Sequence, residues 1–345
     1  MNLKNKYLMI ILAVIIIKTN FSINVQAKEY NRFNNISIED GLSQATVETM
    51  MQDSKGYIWL GTNDGLDRYN GYTFKKYSYE KGQENSLVNG YILDIKEDSE
   101  GNIWGATAAG ISKIYNNGEK VQNYTSDSES GNLSNDNTAT MLISSSNKIY
   151  VGTAEGINLY DKKTDKFNLI YPELKEEYIN SLAEDKYGNI WAGTENGLYK
   201  INVGTNVIER FESTDDVNTI SENYIYKVYY DGDKHIWIGT YDNGFCKLNI
   251  ENNKVTRYLQ TREDGTIRGA FVKNFLKDSK GNMWICTDEG VVLFEVDKNI
   301  FTWYENKVHD PHSLIDNNTF SILEDYSGLI WIGTYSGVST FDPYS

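Results

Sequence analysis

The chain has 345 residues, 40% of them apolar, and a formal net charge of −15. The acidic excess argues against nucleic acid and against anionic polysaccharide as partners, because both repel a negatively charged surface. Tyr and Gly are abundant (26 and 28 residues) and Pro is rare (3 residues), which favours strands and tight turns within a single domain.

Residues 1–27 have the pattern of a secretory signal peptide. Lys4 and Lys6 precede an apolar run over residues 7–17, and the small residue Ala27 ends the polar stretch that follows. As a helix, this run would span only about half of the hydrocarbon core of a bilayer. We therefore predict cleavage near Ala27, a secreted or extracytoplasmic mature chain, and no transmembrane segment in that chain. An uncleaved N-terminal anchor is the alternative.

The rest of the chain, residues 28–345, repeats one motif close to Gly-x-Ile-Trp-x-Gly-Thr at steps of 41 to 47 residues. An aromatic residue anchors each of the seven repeats: Trp59, Trp104, Tyr150, Trp191, Trp237, Trp284 and Trp331. An Asp lies six positions before every anchor except in the third repeat, where Ser144 replaces it. Self-similarity at this period indicates a repeat architecture.

The spacing inside one repeat predicts four short strands. In the first repeat these are residues 47–52, an Asp-x-x-Gly turn, residues 58–62, residues 65–69, and a fourth strand carrying Phe74 and Tyr77. Short turns between strands indicate antiparallel hairpins, and four-stranded repeats of this period are typical of propeller blades. We expect the anchor aromatics to pack between blades, and Cys246 and Cys286 to be small buried side chains without a disulfide.

The seventh repeat ends after its third strand, at Phe341. Phe33 and Ile36 have the apolar spacing of a fourth strand and precede the first repeat. We therefore predict that the N-terminal strand completes the last blade, which closes the ring and leaves no exposed edge. The predicted fold is all-β: a single seven-bladed β-propeller of four-stranded antiparallel blades over residues 28–345.

The repeat resembles that of the two-component regulator propeller family. The match is clearest at residues 56–62 with Gly65-Leu66, at residues 328–334 with Gly337-Val338, and upstream at residues 85–87 and 309–314. The resemblance implies an extracytoplasmic sensor region of a receptor histidine kinase, hybrid kinase or diguanylate cyclase. The sequence contains no second propeller, immunoglobulin-like module, transmembrane helix or output domain of that family, which leaves a free-standing secreted binder, a truncated gene product and a piece of a receptor as alternatives. A membrane receptor or envelope protein is a candidate partner.

Candidate ligand-binding residues lie in two loop sets of the predicted propeller. The loops that enter the first strand and those that join the second and third strands should share one face around the central channel. There, aromatic rings could cover the apolar C–H patches of a sugar while amides and carboxylates bond its hydroxyls. The candidates are Asn63, Asp64, Tyr91, Tyr178, Glu195, Asn196, Tyr224, Tyr241, Asp242, Asn243, Arg268, Phe271, Asp288, Glu289 and Tyr335.

Two features of this set stand out. Tyr91, Tyr178, Tyr224 and Phe271 occupy one equivalent position in their repeats, although such rings could also simply seal the core on the channel side. Residues 241–243 include a one-residue insertion in the fifth repeat, where a ligand could reach it.

These observations favour a ligand-recognition propeller that binds a small molecule or oligosaccharide and feeds a two-component or cyclic-dinucleotide signalling system. We expect no catalytic residue, metal or cofactor, because no histidine falls on the proposed face and no carboxylate pair is seen to converge as a glycosidase requires. The alternatives are a secreted propeller lyase or glycosidase, and a protein-interaction scaffold.

Overall fold

Seven four-stranded antiparallel sheets make up the part of the chain that the structure describes, which is residues 32–127, 132–259 and 268–344 of a computed structural model. The only helical elements in these ranges are two short 3-10 turns, Ile38–Asp40 and Pro172–Leu174. None of the described helices is long or apolar enough to cross a bilayer. The predicted seven-bladed propeller is confirmed, and the predicted signal peptide lies outside the described residues.

The first strands of neighbouring blades contact one another and so surround the axis of the ring. They are β2 (Val47–Gln52), β6 (Ile92–Glu97), β10 (Thr138–Ile143), β14 (Ile179–Glu184), β18 (Ile225–Tyr230), β22 (Val272–Lys277) and β26 (Thr319–Glu324). The second strands carry the anchor aromatics: β3 (Ile58–Thr62), β7 (Ile103–Thr107), β11 (Ile149–Thr153), β15 (Ile190–Thr194), β19 (His235–Thr240), β23 (Met283–Thr287) and β27 (Ile330–Thr334).

The outer half of each blade is formed by its third and fourth strands. The third strands are β4 (Gly65–Tyr69), β8 (Gly110–Ile114), β12 (Gly156–Asp161), β16 (Gly197–Asn202), β20 (Phe245–Asn249), β24 (Gly290–Glu295) and β28 (Val338–Phe341). The fourth strands are β5 (Phe74–Tyr77), β9 (Val121–Tyr124), β13 (Lys166–Ile170), β17 (Val207–Phe211), β21 (Val255–Tyr258), β25 (Ile300–Tyr304) and, from the N-terminal end, β1 (Asn34–Ile36).

Closure of the ring occurs as the spacing predicted. Strand β1 pairs antiparallel with β28 and completes the sheet β1-β28-β27-β26. Ser339 Oγ donates a 2.6 Å hydrogen bond to Asn35 Oδ1 across this pair. Phe33 is only 3% exposed, and its ring centroid lies 4.4 Å from that of Phe341. The two ends of the propeller are therefore joined by both backbone pairing and a buried aromatic contact.

A hydrogen bond inside each repeat explains the spacing of Asp and Trp. The Asp carboxylate accepts backbone N–H groups of its own turn, and in six repeats its second oxygen also accepts the indole N–H of the anchor Trp, at 2.8–3.5 Å. The third repeat replaces both partners at once, with Ser144 and Tyr150. Tyrosine has no indole N–H to donate, so the carboxylate is not needed there, and Ser144 Oγ still accepts the Lys148 N–H at 3.1 Å.

The anchor aromatics pack between blades, as expected. Trp104 is fully buried. Its ring stacks on Tyr124 of its own blade at 5.6 Å and meets Tyr160 of the next blade edge-on at 5.0 Å. Cys246 and Cys286 are buried and unpaired, which confirms the reading of both as small core side chains.

Replacing Phe33 by Ala tests closure by the N-terminal strand. The change leaves a cavity in the core between the sixth and seventh blades, and we expect it to lower the free energy of unfolding by about 3–5 kcal/mol. Chemical denaturation followed by Trp fluorescence measures this difference. Tyr72→Ala is the matched control, because Tyr72 is 92% exposed and its loss should leave stability nearly unchanged. Equal stabilities of the two variants would contradict the closure.

Candidate functional site

The two predicted loop sets do share one face of the propeller, which we call the mouth face. The loop between β7 and β8 bonds the loop entering its own blade, Ala108 N to Tyr91 O at 3.2 Å. The first residue of β4 bonds the loop entering the next blade, Gly65 N to Gly90 O at 2.7 Å. Backbone hydrogen bonds therefore hold the candidate residues on a continuous rim around the channel.

Four aromatic side chains form a connected group on this rim, which we call the aromatic patch. Tyr224 and Tyr241 stack nearly parallel, with ring centroids 5.0 Å apart. Tyr241 also lies 4.7 Å from Phe271, and Phe271 meets Tyr226 edge-on at 4.6 Å. Tyr241, which belongs to the inserted segment, remains 50% exposed. The insertion thus places an accessible ring on top of partly buried ones.

Polar groups border the aromatic patch. The backbone N–H of Asp242 donates to Glu222 Oε2 at 2.9 Å, which orders the inserted segment. The Asn243 N–H donates to Thr240 Oγ1 at 3.1 Å. Burial, reinforced by the neighbouring Glu195 carboxylate, raises the pKa of the Tyr224 hydroxyl. Predicted residues of the fourth, fifth and sixth repeats therefore come together at one point of the mouth face.

Other predicted residues lie elsewhere on the face. Tyr91 donates to Glu48 Oε1 at 3.4 Å, and Tyr178 donates to Asn137 Oδ1 at 3.2 Å. Asn196 donates to Glu177 at 3.0 Å. Arg268 instead lies over the Trp303 ring, which belongs to a fourth strand.

The remaining candidates sit on loops that join second and third strands. Asp288 accepts the Phe271 backbone N–H at 3.3 Å, so it supports the aromatic patch from behind. Elsewhere on these loops are Asn63, Asp64, Glu289 and Tyr335.

The channel below the mouth is lined by residues that the sequence analysis missed. In every first strand the second residue forms a bulge, because the first and third residues pair with consecutive residues of the second strand. A bulge re-aims side chains, so consecutive residues can face the same side. The seven second residues all line one cavity of about 140 Å³: Glu48, Leu93, Ala139, Asn180, Tyr226, Lys273 and Phe320.

A second layer of the same cavity comes from the third residues of five first strands. These are Thr49, Asp94, Thr140, Lys227 and Asn274. Tyr178 also lines the cavity, so the channel connects with the mouth face. One signal for these positions was present in the sequence: Glu48, Asn180 and Lys273 place polar groups at the second position, and the third position is polar in all seven first strands.

The charges in the channel are unevenly distributed. Glu48 and Asp94 belong to the first and second blades, whereas Lys227 and Lys273 belong to the fifth and sixth. Burial raises the pKa of Glu48, while the Lys273 ammonium opposes that shift. Burial lowers the pKa of Lys273, which bonds to Asn318 and lies 4.0 Å over the Phe320 ring. The channel therefore has an acidic side and a basic side.

Asp94 is the most fully engaged of these groups. Its Oδ1 accepts the Lys96 ammonium at 2.5 Å, and its Oδ2 accepts the Met141 backbone N–H of the next blade at 2.8 Å. Burial alone would raise the pKa of Asp94, but Lys96, Lys227 and these hydrogen bonds hold it below its usual range. Among the described residues, no three His, Cys, Asp or Glu side chains converge as a metal site would require.

Comparison with known proteins identifies the family that the repeat matches. Residues 41–64, 173–196, 219–242 and 313–336, in the first, fourth, fifth and seventh blades, match the family described as two-component regulator propeller. Over 64 residues the chain is 39% identical to a histidine kinase, P4, of Formosa agariphila, a stretch covering 18% of this chain and 5% of that protein.

Solved structures share the fold. The extracellular domain assigned to a hybrid two-component system of B. thetaiotaomicron is 21% identical with a TM-score of 0.78, over 90% of this chain and 42% of that one. Virginiamycin B lyase from Staphylococcus aureus is 12% identical with a TM-score of 0.67, over 90% of this chain and 99% of the lyase. The chain thus spans less than half of the receptor domain, and identities this low show the architecture alone.

Lys227→Met tests whether the channel ammonium costs stability. Burial lowers the pKa of Lys227 from its ordinary 10.5, although Asp94 opposes this shift. Below the lowered pKa the lysine is charged in both folded and unfolded states, so the full cost of burying the charge is present. Above its ordinary pKa neither state is charged and the cost disappears. We therefore expect a Tm above that of the wild type by about 1–3 °C near pH 7, and a smaller gap near pH 10.

Thermal unfolding followed by circular dichroism measures the difference in Tm between Lys227→Met and the wild type at both pH values. Lys163→Met is the control, because Lys163 is exposed in the turn between β12 and β13 and its removal should change Tm little at either pH. A Tm of Lys227→Met below that of the wild type near pH 7 would show that the ammonium stabilises the fold.

Proposed function

Because the chain is built from two-component regulator propeller repeats, we propose that it is an extracytoplasmic ligand-recognition module that binds its ligand at the channel mouth. The observation that carries this proposal is the aromatic patch, a stacked and partly exposed group of rings at the entrance to a polar channel. The similar receptor structures are extracellular domains, and the predicted signal peptide supports the same location. In this proposal the module senses and does not catalyse.

The proposed ligand class is an oligosaccharide. Sugar rings present apolar C–H faces, which pack on aromatic rings, and hydroxyls, which need hydrogen-bonding partners. Tyr241 supplies an accessible ring, and Glu195, Asp242 and Asn243 bring carboxylate and amide groups to the same sector of the mouth face. Candidates at other points of the rim, such as Asn63 and Tyr335, would contact the outer units of a longer ligand.

The proposed role in the cell is to supply a signal to a membrane-bound partner. The chain spans 5% of the matched histidine kinase and 42% of the similar extracellular domain, so kinase or cyclase output would come from another part of the system. A receptor or envelope protein would read the occupied state. The signalling system would then be of the two-component or cyclic-dinucleotide type.

Tyr241→Ala and Phe271→Ala test the binding surface. Each change removes a ring of the aromatic patch, and we expect each to weaken binding of the best neutral oligosaccharide by about tenfold or more, which corresponds to ~1.4 kcal/mol. Isothermal titration calorimetry with short oligosaccharides of glucose, xylose and mannose gives the affinities.

Tyr187→Ala is the matched control for this experiment. Tyr187 is 62% exposed and lies in the turn between β14 and β15, at the end of the blade opposite the mouth face. Its removal should leave the affinity unchanged. Unchanged affinity in both patch variants, or turnover of any of the sugars by the wild type, would contradict the proposal.

A further inference from the structure

The Lys227 ammonium is a buried charge that faces the channel cavity. Lys227 is the third residue of β18 and lines the cavity with Thr140 and Asn274. Burial is the main influence on its pKa, and its side chain is only partly accessible. Within the described residues, Lys227 Nζ has no hydrogen-bond acceptor and no carboxylate at ion-pair distance.

The other charged groups of the channel already have partners. Asp94 influences Lys227 through its charge, but its own oxygens are taken by Lys96 and by the Met141 backbone N–H. Lys273 bonds to Asn318 and lies over an aromatic ring. Lys227 is thus the lysine of this cavity that lacks a hydrogen-bonding partner among the described residues.

A buried ammonium without a hydrogen-bonding partner is stabilised when an anion binds beside it. A charge removed from bulk water costs several kcal/mol unless an opposite charge and hydrogen bonds compensate it. The cavity, about 140 Å³, has room for several water molecules or for a group the size of a carboxylate with its attached carbons. Thr49 lines the same space, and its hydroxyl can donate to a second oxygen.

We propose that the channel cavity is a carboxylate-binding subsite centred on Lys227, so that the ligand is a sugar acid or a similar small organic acid. The carboxylate enters through the mouth and pairs with the Lys227 ammonium. The uncharged remainder of the ligand lies against the aromatic patch. This subsite rests on the proposed function only in using the mouth face as its entrance.

The overall acidity of the chain is compatible with this subsite. A net charge of −15 disfavours a long polyanion that would lie across the surface. One carboxylate inside the channel instead experiences mainly the charges that line it. There Lys227 and Lys273 line the cavity with Glu48, whose pKa is raised by burial, while Lys96 pairs with Asp94.

Saturation-transfer NMR with sodium acetate tests the subsite on the full-length mature protein. Acetate carries the carboxylate and lacks the sugar, so it reports on the carboxylate subsite in the channel cavity alone. We expect saturation transfer to acetate with the wild type and with Lys163→Met, and a loss of about tenfold or more with Lys227→Met, because a hydrogen-bonded ion pair is removed. Calorimetry should then show that sodium glucuronate binds more tightly than glucose to the wild type and no better than glucose to Lys227→Met.

Three results would overturn the subsite. They are no saturation transfer to acetate with the wild type, equal transfer with Lys227→Met, or stronger transfer to methyl sulfate than to acetate. The outcome is independent of the proposed function, since loss of acetate binding in Lys227→Met supports the subsite even if no oligosaccharide binds. Conversely, neutral oligosaccharide binding that responds to Tyr241→Ala would leave the proposed function standing even if acetate and glucuronate bind Lys227→Met as well as the wild type, a result that would remove the subsite.

Discussion

The pairing of β1 with β28 is the constraint on which the channel depends. Each blade buries its anchor aromatic against the next blade, so an open ring would leave two blades with an uncovered face. The N-terminal strand removes both faces at once by entering the last sheet, where the Asn35 amide also bonds to the Ser313 carbonyl at 3.2 Å. Only a closed ring brings seven first strands around one axis, and only then do their second and third residues meet in a shared cavity.

Most of the architecture could be predicted because the spacing of residues within each repeat fixes its strands and turns. Strand bounds such as Val47–Gln52 and Gly65–Tyr69 agree with the structure, since tight turns with fixed residues delimit them. The indole–carboxylate bond was missed because the Asp was assigned to the turn alone. The sequence nevertheless indicated this bond, because the third repeat replaces both the Asp and the Trp, with Ser144 and Tyr150.

The candidate site could be predicted only in part. Loop positions follow from the order of the strands, so the mouth face and Tyr224, Tyr241 and Phe271 were placed correctly on it. The channel was missed because strand alternation predicts that consecutive residues point to opposite faces. The bulge at the start of each first strand breaks that alternation, and it brings Tyr226 and Lys227 into the same cavity.

The channel also shows that the net charge of a chain restricts the choice of small ligand less than the few charged groups at the binding position do. Surface charges separated by more than about 8 Å are largely screened at physiological salt, whereas buried charges are screened much less. An acidic surface therefore decides which large partners approach, but the few buried groups decide which small group is held. In this propeller the repeats share their turns and anchors and differ in the seven residues of the channel ring. A repeat protein can vary such positions with little disturbance to its blades, because they face the axis and lie apart from the anchor aromatics that pack between sheets.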